Sequence, residues 1–146
     1  KKFGAKAKSA VFKPRCKLMF GLKNKNYFSS SMDSSDGLST TLNEMSSQSK
    51  KKFVITTMPS ENDVFYFADS NKLNPNELIL NSGEEYEIVA TTKKSNLPKI
   101  KNHAKKYRIK LYEIGYVAKG RGVFYKKNGK LIRIKDKGWQ HLQNHA

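Results

Sequence analysis

A chain of 146 residues is the length of a single domain, which excludes multidomain machinery. Its 29 Lys and Arg against 12 Asp and Glu give a formal charge of +17 and a pI near 9.9. That balance admits a nucleic-acid binder, a binder of phosphorylated metabolites, or a generally lysine-rich composition. No apolar run is long enough for a spanning helix. A mean hydropathy of −0.72 offset by 7 Tyr and 8 Phe predicts a soluble, folded chain.

The positive charge comes in pairs and triples such as Lys50-Lys51-Lys52, Lys93-Lys94, Lys105-Lys106 and Lys126-Lys127, with no longer block that would mark a basic arm. One cysteine, Cys16, excludes an internal disulfide and suits a reducing, cytoplasmic setting, where it reads as a small structural residue. The chain opens on Lys1-Lys2, without a signal peptide's apolar segment, which suggests a piece of a longer protein.

In chain order, residues 1–14 read as a basic lead-in and 15–146 as one domain. Lys17 to Leu22 and Tyr27 to Met32 are short apolar pieces, expected as strands. Asp36 is a good N-cap for a helix over Gly37 to Ser47, with Leu38, Leu42 and Met45 on one face. Phe53 to Thr57 is β-branched and aromatic, hence a strand ended by Pro59. Ser60 with Asp63 resembles a capping box opening a helix to Ala68, and Asn74-Pro75 starts a helical turn with Leu78, Ile79 and Leu80. Glu85 to Thr92 is a strand. Ser95 is expected to cap a helix carrying Leu97, Ile100, Ala104 and Tyr107. Leu111 to Ala118 is a further strand. Gly122 to Tyr125 and Leu131 to Ile134 flank Asn128-Gly129, a strong hairpin signal. The pattern predicts an α+β sandwich, one mixed β-sheet with helices packed on it.

Three stretches stand out chemically. Asp33 and Asp36, in Met32-Asp33-Ser34-Ser35-Asp36-Gly37-Leu38, sit where a strand runs into a helix, whose amides and the Ser35 hydroxyl suit a phosphate. The carboxylates would repel that phosphate unless Mg²⁺ lies between them; an acidic turn whose Asp36 only caps the helix is the plainer alternative. In Asn81-Ser82-Gly83-Glu84-Glu85-Tyr86-Glu87-Ile88, strand alternation puts Glu84 on the more apolar face with Tyr86, Ile88 and Ala90. A solvated Glu at a strand end competes with that reading. The tail Gly138-Trp139-Gln140-His141 holds the only Trp, suited to stacking or to a core. His141 and His145 have a zinc-compatible spacing but no third ligand in view.

Together these stretches resemble a family. Phe28 to Leu38 looks like the (I/M)-D-x-S-D-G-L segment of thiamine-monophosphate kinases, Ser82 to Ile88 is similar to their G-G-E-D-Y-E-L, and Gly138 to Leu142 resembles their terminal G-aromatic-x-H-F. The wider superfamily includes aminoimidazole ribonucleotide synthetase, selenophosphate synthetase and a hydrogenase maturation protein. The resemblance covers only the C-terminal domain of such enzymes. It implies a missing N-terminal domain that carries most Mg²⁺ and ATP ligands and forms a homodimer. It further implies Mg²⁺ ligation by Asp33 and Asp36, an ATP phosphate contact from Ser35, and substrate contacts from Glu84, Trp139 and Leu142. Two positions depart from the pattern: Ser82 stands for the first Gly of the second motif and Leu142 for the final Phe.

The reaction so implied passes the γ-phosphoryl group of ATP to thiamine monophosphate, giving thiamine diphosphate. The acceptor phosphate is already ionised, so no general base is needed, which fits a site of carboxylates without a catalytic His. The isolated piece is expected to be inactive, with no membrane partner. The alternatives are a basic nucleic-acid-binding domain, which the acidic clusters oppose, another ATP-dependent enzyme of the superfamily, or a relative that keeps only the fold.

Overall fold

The computed structural model describes residues 16–84 and 86–137. The basic lead-in, Glu85 and the tail from Gly138 lie outside the described residues. The elements are α1 (Leu18–Asn24), β1 (Phe28–Ser34), α2 (Leu38–Ser49), β2 (Lys52–Ile55), α3 (Asn62–Ser70), α4 (Pro75–Asn81) and β3 (Glu87–Thr92). A 3₁₀ turn (Lys94–Asn96) leads into α5 (Leu97–Lys106), followed by β4 (Gly115–Ala118), β5 (Gly122–Lys127) and β6 (Lys130–Arg133). The α+β class stands. The strands, however, divide between two sheets where one was expected: an antiparallel β1-β3 ribbon and a mixed sheet ordered β4-β2-β5-β6.

The helix α2 joins them. Leu38, Leu42 and Met45 are buried, as their helical spacing predicts, against Phe53, Ile55, Val123 and Ile134 of the mixed-sheet side. Met32 and Val89 of the ribbon, opposite one another in the β1-β3 register, pack on the same core. Phe28 and Ile88 of the ribbon pack instead on a second core of Phe20, Ile100 and Ala104. The ribbon therefore has apolar contacts in both cores.

Several local expectations change. Lys17 to Leu22 is not a strand: α1 buries Phe20 and Asn24, one turn apart, and the Asn24 side chain donates to the Phe20 carbonyl at 2.8 Å. A short apolar run fits either period, and the packing of Phe20 beside α5 decides it. The Ser60–Asp63 capping box does not form, because Glu61 occupies the cap position of α3. Ser95 falls inside the 3₁₀ turn, and Asn96 precedes α5. Only Gly115–Ala118 of the expected Leu111 to Ala118 strand pairs with β2. Asn74 caps α4 through a 3.0 Å bond from the Asn76 N–H. The Asn128-Gly129 hairpin forms, with φ of 49° and 78° at its two turn residues.

Candidate functional site

The end of β1 carries the first site segment. Burial alternates along the strand, so that Ser29, Ser31 and Asp33 face outward while Ser34 is buried. The Asp33 carboxylate is exposed, and its carbonyl accepts a 3.2 Å bond from Thr41 Oγ1 in the first turn of α2. Asp36 is exposed in the turn that follows, with the Ser35 hydroxyl donating to its Oδ2 over a long 3.4 Å. Asp36 does not cap the helix. Gly37 holds that position at φ 98°, and no side chain bonds to the cap.

Glycine is needed there twice over. The left-handed φ disfavours any side chain, and a Cβ at Gly37 would stand 3.0 Å from the Ser82 carbonyl oxygen and 3.2 Å from that of Leu80. The second segment is thus pressed against the first. The Glu84 N–H donates to the Ser35 carbonyl at 2.6 Å, and the Tyr86 N–H to the Ser34 carbonyl at 3.1 Å. A few residues away, Ser39 Oγ donates to Asn81 Oδ1 at 2.9 Å.

Glu84 does not lie on the apolar face of a strand. The strand begins at Glu87, and Glu84 and Tyr86 have φ of 63° and 48°, which breaks the alternation assumed from sequence. Both side chains are exposed. The structure therefore brings Asp33, Ser35, Asp36 and the Glu84 backbone to one seam at the end of the ribbon. Trp139 and Leu142 lie outside the described residues, as do His141 and His145.

Two features escaped the sequence reading. Asp136 accepts a 2.7 Å bond from Thr40 Oγ1 in the first turn of α2, placing a third carboxylate near that helix N-terminus. No spacing rule links positions 96 residues apart. Beside the seam, an open cavity of about 320 Å³ is lined by Leu73, Asn74, Glu77, Leu78, Asn81 and Ser82.

Among the described residues no three His, Cys, Asp or Glu side chains group closely enough to hold a metal by themselves. Exposed carboxylates such as those of Asp33 and Asp36 are of the ligand type that Mg²⁺ takes, one or two at a time together with waters and substrate phosphates. The buried Ser34 hydroxyl at the same strand end has no hydrogen-bond partner, a polar group left over beside this seam.

Comparison with known proteins gives the seam its context. The family model described as AIR synthase related protein, C-terminal domain, matches residues 7–127. The thiamine-monophosphate kinase of Nitrosopumilus maritimus is 51% identical over 143 residues, covering 98% of this chain and 45% of that protein. That of Pyrococcus horikoshii is 33% identical over 132 residues, covering 89% and 39%. The solved complex of AaThiL with AMPPCP and TMP superposes with a TM-score of 0.77 at 27% identity, over 97% of this chain and 43% of that one. The structure of tt0281 from Thermus thermophilus gives 0.73 at 30% identity, over 83% and 39%. The chain spans less than half the length of these relatives. With the family model matched over residues 7–127, both motif segments of the seam included, the chain belongs to the AIR synthase related protein C-terminal domain family.

Proposed function

We propose that this chain is the C-terminal domain of a thiamine-monophosphate kinase and contributes part of a site that transfers the γ-phosphoryl group of ATP to thiamine monophosphate. The observation that carries the reading is the seam: the two segments that resemble the kinase motifs are bonded backbone to backbone, 2.6 Å from the Glu84 N–H to the Ser35 carbonyl. The similarity to named thiamine-monophosphate kinases supports the same reading. A relative solved with AMPPCP and TMP supports a nucleotide and a phosphorylated acceptor as the two ligands.

In this reading Asp33 and Asp36 would hold Mg²⁺, which when bound neutralises charge on the transferring phosphate. The Ser35 hydroxyl donates to a nucleotide phosphate. The first turn of α2 directs its amides toward that end of the site. Glu84 presents a carboxylate to the acceptor, and Trp139 and Leu142 give it apolar surface. No residue is asked to remove a proton, because the attacking phosphate oxygen is already ionised. The seam holds the two ligand-binding segments in register, and positioning of this kind supplies much of the rate in phosphoryl transfer. The remaining nucleotide ligands come from the part of the parent enzyme beyond this chain, which also supplies its dimer contacts, and the enzyme works in the cytoplasm.

The test is formation of thiamine diphosphate from ATP, Mg²⁺ and thiamine monophosphate, by the parent enzyme and by the 146-residue chain alone. Product from the parent and none from the chain is the expected result. A parent enzyme that binds neither ligand would remove the assignment.

A further inference from the structure

We infer that Gly83 is a positioning residue that makes the two segments one mechanical unit, so that nucleotide binding at Asp33–Asp36 and acceptor binding at Glu84 strengthen each other. The inference rests on the function proposed above and concerns how its two half-sites communicate.

Gly83 is not required for its backbone angle, since its φ lies outside the left-handed region. It is required for room. A Cβ there would stand 2.8 Å from the Ser35 carbonyl oxygen, closer than real contacts allow, and 3.7 Å from the Asp36 Cα. That same oxygen accepts the 2.6 Å bond from Glu84. The Ser35 carbonyl oxygen is therefore seated against the Gly83–Glu84 peptide, with no side chain to cushion it. Gly37 repeats the arrangement from the other side, against the Ser82 carbonyl. Tyr86 adds a second backbone bond, to Ser34.

Glu84 and Tyr86 sit in the left-handed region without being glycine, a conformation that costs energy and persists where surrounding bonds enforce it. Those bonds come from Ser34 and Ser35, the residues between the two candidate metal ligands. Whatever orders Ser35 and Asp36 therefore orders Glu84 in advance. A second ligand then meets an already ordered loop and binds more tightly. Linkage requires the effect to be equal in both directions, and such couplings are typically about 5- to 150-fold.

The experiment uses the parent enzyme and measures the Kd of thiamine monophosphate with and without Mg²⁺ and a non-hydrolysable ATP analogue, then the reverse. The expected result is at least about fivefold tightening each way in the unmodified protein, falling to about onefold in Gly83→Ala. Gly129→Ala is the control. It strains the distant hairpin turn, where a Cβ meets nothing within 4 Å, and should lower stability while leaving the coupling intact. Coupling that survives in Gly83→Ala, or that is lost equally in Gly129→Ala, overturns the inference. If Gly83→Ala does not fold, amide exchange in the unmodified protein decides. Slowing at Glu84 and Tyr86 on adding Mg²⁺ and nucleotide alone supports the coupling, and unchanged exchange overturns it. Binding of both ligands without mutual tightening would sink the inference and leave the kinase reading standing, whereas no acceptor binding at all would sink that reading.

Discussion

Ser39 and Asn81 meet across the junction of α2 and α4, the buried Ser39 hydroxyl donating to the Asn81 side-chain oxygen at 2.9 Å. Asn81 also lines the open cavity, and its backbone packs on Gly37. This bond, with the packing of Gly37, holds α4 against the N-terminal end of α2. Ser39→Ala leaves the Asn81 oxygen without its donor and should cost about 1–3 kcal/mol. Urea denaturation of the chain measures it, and a loss under about 0.5 kcal/mol would show that water replaces the hydroxyl.

Ser46 clamps the far end of the same helix. Its hydroxyl donates to the Lys51 carbonyl at 2.6 Å and accepts from the Gly122 N–H at 2.9 Å. Ser46→Ala takes the partner from two part-buried backbone groups, so a loss of about 1–2 kcal/mol is expected, with Ser46→Thr recovering part of it. Equal stability of the alanine and threonine variants would contradict the clamp.

The packing of α2 predicts the largest loss in stability. Leu42 is 1% exposed within the core that spans both sheets. Leu42→Ala should destabilise by about 2–5 kcal/mol, lowering the thermal midpoint well beyond the effect of any surface change. A calorimetric scan reads this directly.

Asp36 behaves oppositely. Because it caps nothing through its side chain, Asp36→Asn should leave the stability of the chain within about 0.5 kcal/mol. In the parent enzyme the same change should lower kcat on the order of 10²-fold, the usual size for removing a group that stabilises transferring charge. A parallel loss of stability and activity would return Asp36 to a structural role.

The sequence was most legible where one residue type answers a local geometric demand. Asn128-Gly129 needed only two residues tolerant of positive φ, and Leu38, Leu42 and Met45 needed only a helical period. It was least legible where a partner distant in sequence decides. Phe20 is helical because α5 waits beside it, and Asn24 is tolerated in the interior because its Oδ1 meets His103 Nδ1 at 2.8 Å. The division into two sheets was hidden for the same reason, since no strand states its neighbours. Among the candidate site residues, Asp33, Asp36 and Glu84 stood out in the sequence pattern and again through the resemblance. The joining of their two segments through Ser35 and Gly83 backbone atoms was not legible, because carbonyl oxygens leave no mark on a pattern of side chains.

The parallel pairing of β2 with β5 delays the point in synthesis at which the fold can be completed. Phe53 lies opposite Val123 and Ile55 opposite Tyr125, and everything from α3 to β4 is synthesised between them. Until Val123 and Ile134 leave the ribosome, Leu42, Phe53 and Ile55 have no completed surface to cover them. Pairings this distant in sequence form slowly, because the intervening chain must be gathered before the contact rewards it. The α2–β2 segment thus exposes apolar surface from the synthesis of β2 until that of β5, and its folding in a cell should depend on chaperone supply.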